Sequence, residues 1–181
     1  MRSLPVLILT AILGVVAGDR APALAAALDD TDVHARMTSD HRHLRAVDRR
    51  VRDAIAEGLR RSATFASLVV ALDQSDVIVY IETSRGLPST LAGRMLIVAG
   101  PANQRYLRIQ VAASPRGVEL IALVAHELQH ALEVAASPQV RDEESLIGLY
   151  EAIGRRSRGE HRYDTMAAQD AGRQVRTELI G

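Results

Sequence analysis

Two histidines and a glutamate stand close together in the stretch LVAHELQHALEVA, residues 123–135, in the order His-Glu-x-x-His. Residues four apart on a helix lie on the same face, so the imidazoles of His126 and His130 can both point at one ion. Glu127 lies one step round the helix, where its carboxylate can hold a water at that ion without being a ligand itself. The spacing therefore predicts a helix with two zinc ligands and a general base for hydrolysis.

A plain core helix that carries two satisfied histidines and a capped glutamate is the alternative interpretation of this stretch. A buried glutamate between two buried histidines costs free energy unless it has a partner or a chemical task, and this favours the metal helix. Burial is expected because the flanking residues Val124, Ala125, Leu128, Gln129, Ala131 and Leu132 are all uncharged.

Helices are predicted on both sides of the motif. The stretch 39–62 is expected to form an amphipathic helix capped by Ser39 or Asp40, and a shorter helix follows over ATFASLVVALDQS. After the motif helix, the sequence predicts one helix that Gly154 stops and a final helix over 161–180. The first helix is predicted from apolar residues at three- and four-residue steps, namely Leu44, Val47, Val51, Ile55 and Leu59.

Three strands are predicted in the middle of the chain, over 76–82, 93–100 and 105–113, because these stretches are β-branched or aromatic and lie between turn residues. Alternation in the third strand places Leu107, Ile109 and Val111 on the opposite face from Tyr106, Arg108 and Gln110. The order of helices, three strands and helices predicts an α+β fold. We expect the strands to form an antiparallel meander with one face packed on helices.

The first 25 residues have the pattern of a cleavable signal peptide. Arg2 supplies the positive start, residues 4–17 the apolar region and Ala23-Leu24-Ala25 the small-x-small cleavage site, so Ala26 is the expected first residue of the mature chain. Residues 26–181 are then long enough for a single domain with its own core. We expect this domain to be exported to a bacterial periplasm or the medium, with no stable membrane insertion after leader cleavage.

The amino-acid composition excludes several kinds of site. The 181 residues include no cysteine, which excludes disulfides, thiolate zinc sites and cysteine nucleophiles. Every basic residue is arginine, and acidic and basic residues balance at 22 each, so nothing predicts the basic face of a nucleic-acid-binding protein. Any metal must therefore be held by histidine and carboxylate side chains.

The motif helix, with a sheet directly before it, resembles that of the zincin metallopeptidases. This resemblance implies a zinc peptidase with a peptide or protein substrate, with His126 and His130 as zinc ligands and Glu127 as the catalytic base. The zincin subgroup that continues as His-x-x-Gly-x-x-His is not matched, since the chain reads HALEVAAS from His130. That departure implies a gluzincin-like arrangement, in which a carboxylate further along the chain is the third ligand.

Asp164 is the favoured third ligand. On the predicted final helix it projects on the same side as the small residues Ala167, Ala168 and Ala171, which predicts a buried carboxylate in a close helix contact. Glu160 is an alternative, because Glu160 with Asp164 resembles the gluzincin pairing of a ligand glutamate with an aspartate that orients a histidine.

Two other carboxylates stay open as third ligands. Glu151 has a gluzincin-like separation from His130 but falls at the edge of its helix's apolar stripe. Glu133 shares the face of the histidines, but an axial rise of about 10 Å separates it from His126, and a supporting role is expected there. Glu143 and Glu144 are expected at a helix start, where the dipole favours acidic residues.

The candidates to stabilise the oxyanion of amide hydrolysis are Tyr150, His161 and Tyr163. The remaining histidines, His34, His41 and His43, are expected on the surface.

The predicted function is an exported zinc-dependent hydrolase, most simply a metallopeptidase. The alternative is a non-catalytic exported binding or structural domain in which the HELQH helix is core or binds metal without turnover.

Overall fold

The computed structural model describes residues 8–9, 43–98, 100–101, 103–156 and 162–181. Within these ranges the chain has five helices and a four-stranded mixed sheet, which confirms the predicted α+β class. No helix in the described part is long and apolar enough to cross a bilayer. Apart from residues 8–9, the predicted leader lies outside the described residues, as do Ala26, His34, His41, Glu160 and His161.

The elements are numbered along the chain, and two sheets are formed. Helices α1 to α5 comprise Arg49–Arg61, Ala63–Asp73, Val118–Ala135, Glu143–Ile153 and Met166–Ile180. Strands β1 to β7 comprise Ile8–Leu9, Leu44–Ala46, Val77–Ser84, Gly93–Val98, Arg105–Ala112, Arg155–Arg156 and Arg162–Asp164. The main sheet has the strand order β2-β3-β5-β4, and a small sheet has the order β1-β7-β6.

The main sheet is not the predicted antiparallel meander. β5 lies between β3 and β4, pairing in parallel with β3 and antiparallel with β4. Parallel neighbours need a crossover connection, and β4 with its two links supplies it between β3 and β5. The predicted alternation is confirmed, because Leu107, Ile109 and Val111 are buried on the helix-covered face.

The first helix begins later than predicted, at Arg49 rather than after Ser39 or Asp40. Residues 44–46 form β2 instead, which pairs in parallel with β3. Asp48, two residues after the strand, caps the helix, since its side chain accepts hydrogen bonds from the backbone N–H of Val51 at 3.0 Å and of Thr83 at 2.6 Å. The helical spacing of Leu44 could not reveal this pairing with a strand more than thirty residues away.

Helix α3 is buried on nearly all sides, because it lies between the main sheet and helices α2 and α5. Gly172 of α5 allows the closest approach: a Cβ there would lie 3.2 Å from the carbonyl oxygen of Ala122 and 3.5 Å from the Cβ of His126. The motif helix is therefore held in the core of the domain.

The end of α3 is held by the buried guanidinium of Arg105, the first residue of β5. It donates to the carbonyl oxygens of Val134 at 2.7 Å, Ser137 at 2.8 Å and Ala135 at 3.1 Å. It also makes a two-point contact with Asp76, at 2.5 and 2.9 Å. A cation at this position is favoured by the negative end of the helix dipole.

Replacing Asp76 with Asn tests this contact through its pH dependence. The hydrogen bond from Arg105 holds the pKa of Asp76 below its ordinary value. The stabilisation is therefore present above the unfolded pKa, about 3.9, and is lost as pH falls through the folded pKa. We expect Asp76→Asn to lower the urea midpoint clearly at pH 7 and much less near pH 3. Asp53→Asn, which removes an exposed pair with Arg49, is the control and should change little at either pH.

Candidate metal centre

Three side chains meet between helix α3 and strand β7. The Nε2 atoms of His126 and His130 lie 3.2 Å apart. The Oδ1 atom of Asp164 lies 3.4 Å from the first and 3.7 Å from the second. Among the described residues, this is the one group of three or more histidines and carboxylates whose ligand atoms converge closely enough to hold an ion.

The size of this triangle fits a tetrahedral zinc site. Ligand atoms about 2.0–2.1 Å from a tetrahedral zinc are separated by about 3.3–3.4 Å, close to the three distances between these ligand atoms. The histidines are one helical turn apart, as the spacing of the motif predicts. Two imidazoles and one carboxylate offer three ligand atoms, one fewer than a closed tetrahedral site uses.

Asp164 reaches the histidines from the end of β7, and not from a helix face as predicted. The final helix begins at Met166, because Thr165 is its N-cap and accepts from the backbone N–H of Ala168 at 3.1 Å. Gln169 donates to Oδ2 of Asp164 at 2.9 Å. Oδ1 is buried and has no hydrogen-bond partner among the described residues, so it is the oxygen available to an ion.

The predicted small-residue stripe is only partly correct. Ala168 and Ala171 are buried as expected, but Ala167 is exposed. Asp164 precedes the helix and does not belong to the stripe. Its burial comes from its place between β7 and the motif helix.

Glu127 is completely buried, and neither of its carboxylate oxygens has a hydrogen-bond partner in the described part of the chain. Strand β4 passes directly over it at Gly93, where a Cβ would lie 2.2 Å from Oε1 of Glu127. A buried carboxylate without a partner costs about 1–3 kcal/mol or more. An ion or a water held at the neighbouring cluster would provide the missing interaction.

The ionisation of the cluster reflects its burial. Burial raises the pKa of Glu127 to about 7. Burial and the charge of His130 lower the pKa of His126 to about 3. Burial alone would lower the pKa of His130, but the carboxylates of Asp164 and Glu133 outweigh it and raise that pKa to about 9.

The cluster is short of positive charge. Three carboxylates, those of Glu127, Glu133 and Asp164, lie near two imidazoles, and all five side chains are at least nine-tenths buried. A divalent cation would balance this charge, since buried charges are stable only when they are paired or bind metal.

The other predicted carboxylates lie away from the ligand atoms. Glu133 stands behind His130, with its Oε2 2.7 Å from Nδ1 of that imidazole, in the supporting position expected for it. Glu151 is exposed and accepts a hydrogen bond from the hydroxyl of Tyr163 at 3.1 Å. Glu143 and Glu144 form the first turn of α4, as predicted.

The two oxyanion candidates among the described residues, Tyr150 and Tyr163, hydrogen-bond to other groups. The hydroxyl of Tyr150 is buried and donates to the backbone carbonyl of His130 at 3.1 Å, and the hydroxyl of Tyr163 donates to Glu151. His43 is half-buried rather than on the surface, with its Nδ1 3.1 Å from the carbonyl oxygen of Leu72.

Sequence reasoning did not find Gly93, Thr165 or Gln169. Thr165 had a usable signal, because a threonine before an apolar helical stretch is a typical N-cap. It would have placed the start of the final helix after Asp164. Gly93 and Gln169 gave no such signal, since their importance depends on contacts between separate elements.

Comparisons with protein-family models, curated proteins and solved structures find no match to this chain.

Replacing Gly93 with Ala tests the contact between β4 and Glu127. The added methyl would overlap the Glu127 carboxylate, so we expect a loss of roughly 1–3 kcal/mol in the free energy of unfolding, measured by urea denaturation. In a Glu127→Ala background the same change should cost much less, because the carboxylate is gone. Gly148→Ala is the control: with no described atom within 4 Å of its Cβ, it should stabilise α4 slightly. An equal cost of Gly93→Ala in both backgrounds would contradict the contact.

Proposed function

We propose that this protein is an exported zinc-dependent hydrolase, most simply a metallopeptidase of zincin type. One observation carries the proposal: His126, His130 and Asp164 present three ligand atoms at the separations of a tetrahedral site, next to a buried glutamate carboxylate that has no partner among the described residues. The downstream carboxylate as third ligand corresponds to the gluzincin-like arrangement implied by the motif.

The donor set favours zinc over the other common divalent ions. Calcium and magnesium prefer sites made of oxygen ligands, whereas two imidazoles with one carboxylate suit zinc and neighbouring transition metals. The chain has no cysteine, so no thiolate competes for the ion. Zinc is accordingly the cofactor that we propose.

The proposed chemistry assigns one task to each residue. When bound, zinc lowers the pKa of water towards neutrality and polarises a substrate carbonyl. His126, His130 and Asp164 hold the ion, and the Asp164 carboxylate is itself held by Gln169. Glu127 accepts the proton of the attacking water and passes it to the leaving amine. A peptide or protein is the proposed substrate, by the resemblance to zincins.

A metal site without turnover is the second candidate, and the burial of the centre favours it. Glu127 and His130 are 0% exposed, so a substrate cannot reach them without movement of a covering element.

The two-residue strand β1 contacts both β4 and β7, the strands that supply Gly93 and Asp164. Because β1 belongs to the proposed leader, cleavage would remove it from this position.

The first test is metal content. The full chain is produced in an exporting host, the mass of the product locates its N-terminus, and zinc is measured by elemental analysis. We expect about one zinc per chain, lost in His126→Ala/His130→Ala and much reduced in Asp164→Asn. Glu151→Gln, which alters a carboxylate outside the cluster, should retain the metal. A folded protein without zinc would refute both metal candidates.

The second test separates turnover from structural metal binding. In a hydrolase, Glu127→Gln should keep zinc and lose at least about a hundredfold in peptide cleavage, because the general base is gone. Cleavage is measured with a mixed peptide library and mass spectrometry. In a structural site, wild type and Glu127→Gln should both be inactive, and zinc removal should lower the Tm of both.

A further inference from the structure

We propose that Glu133 and Thr165 act as a positioning pair, which orients the His130 imidazole for metal binding and ties the segment that carries Asp164 to the motif helix. This inference rests on the proposed metal centre. Neither residue contacts the ligand atoms of His126 or Asp164 in the described structure, so each acts through another residue. The pair is built from hydrogen bonds that join α3 to the start of α5.

The first contact sets which nitrogen of His130 carries the proton. Oε2 of Glu133 lies 2.7 Å from Nδ1, and a carboxylate can only accept, so Nδ1–H must donate. In the neutral imidazole the lone pair is then on Nε2, which lies 3.2 Å from Nε2 of His126 and 3.7 Å from Oδ1 of Asp164. The contact with Glu133 therefore presents the metal-binding nitrogen to the cluster.

The second contact holds Glu133 itself. The hydroxyl of Thr165 donates to Oε1 of Glu133 at 2.5 Å. The oxygen of this hydroxyl, Oγ1 of Thr165, accepts from the backbone N–H of Ala168 at 3.1 Å. Its proton and one of its lone pairs are thus both used, which fixes the rotamer of Thr165. The Glu133 carboxylate is then held at both oxygens and cannot turn away from His130.

The third element is the position of Thr165 in the chain. It directly follows Asp164, so the contact with Glu133 also fixes the backbone that carries the third ligand. Two ligands come from α3 and one from the end of β7. Within the described residues, Glu133 is the side chain of α3 that hydrogen-bonds to Thr165, the residue next to Asp164. One pair of side chains thereby controls both the orientation of a ligand and the distance between the two ligand-bearing segments.

A simple structural role is the competing explanation, because a buried carboxylate with two partners also stabilises the fold. The two roles differ in what they change. A structural contact affects the Tm alone, whereas a positioning pair affects metal affinity in protein that is still folded. Glu133→Gln is nearly isosteric, but its amide cannot accept from both His130 and Thr165. If the NH2 group turns to His130, the imidazole proton must move to Nε2 and block the ligand.

The experiment measures the Kd for Co2+ and Zn2+ of the full chain by competition with a chelator, together with the visible spectrum of bound Co2+. We expect Glu133→Gln to weaken binding roughly 10- to 100-fold, the range found for partners of metal-bound histidines, and to alter the Co2+ spectrum. Thr165→Val should weaken binding less. Thr165→Ser, which keeps the hydroxyl, should bind as wild type does.

Matched controls separate positioning from general destabilisation. Asp142→Ala removes the N-cap of α4, where Asp142 accepts from the backbone N–H of Ser145 at 2.9 Å. It should lower the Tm, by the loss of about 1 kcal/mol, without changing metal affinity. Glu151→Gln should change neither. In Glu133→Gln/Thr165→Val the two effects should be less than multiplicative, because both changes break the same chain of hydrogen bonds.

The outcomes distinguish this inference from the proposed function. Suppose that the wild-type protein binds metal at one site and that folded Glu133→Gln binds it with the same affinity. This result would overturn the positioning pair but would not contradict the metal centre. Absence of binding in wild type would overturn both. If Glu133→Gln does not fold, Thr165→Val and Thr165→Ser decide: equal affinities in these two would overturn the inference, and weaker binding in the valine variant alone would support it.

Discussion

The imbalance of charge at the centre of the domain is the constraint on which the rest of the structure depends. Glu127, Glu133 and Asp164 are buried near two imidazoles, and two of the three carboxylates have oxygens without a partner among the described residues. A folded protein keeps such a cluster only when something compensates it. The proposed cation would do so, and it would turn a destabilising feature of the core into a link between α3 and β7.

The packing around α3 explains how so polar a cluster can lie inside. Nearly every side of this helix is covered by apolar contacts with the sheet and with α2 and α5. Close approach is possible because glycines face it on two sides, Gly172 from α5 and Gly93 from β4. The apolar surroundings lower the local polarity, which shifts the pKa of Glu127 upward and that of His126 downward through loss of solvation.

The sequence was informative where structure depends on local periodicity. The fold class, the alternation of β5 and the long apolar helix with its paired histidines could all be predicted from spacing alone. The predictions were wrong where the structure depends on contacts between residues that are far apart in the sequence. Leu44 fits a helical stripe, but it pairs with a strand more than thirty residues away, and the position of β5 between β3 and β4 depends on a crossover that no local pattern reveals.

Asp164 illustrates the same limit within the site. The sequence predicts it as a buried carboxylate on a helix face, yet it lies on a strand that ends just before the helix. Its burial agrees with the prediction, but this burial comes from the position at the end of β7 and not from the stripe of small residues. Its direction of approach could not be inferred, because that depends on the N-cap at Thr165 and on the contact of Thr165 with Glu133.

Arg105 has a consequence for the centre although it lies at the far end of α3. Its guanidinium is saturated by carbonyl oxygens of the last turn and by Asp76, so α3 cannot slide along its axis without breaking several hydrogen bonds at once. Each residue of a helix rises about 1.5 Å. A slip of one residue would therefore carry Glu127 away from Gly93 and move both imidazoles relative to Asp164. By binding carbonyl groups that begin four residues beyond His130, Arg105 thus sets the axial position of the whole motif against the sheet.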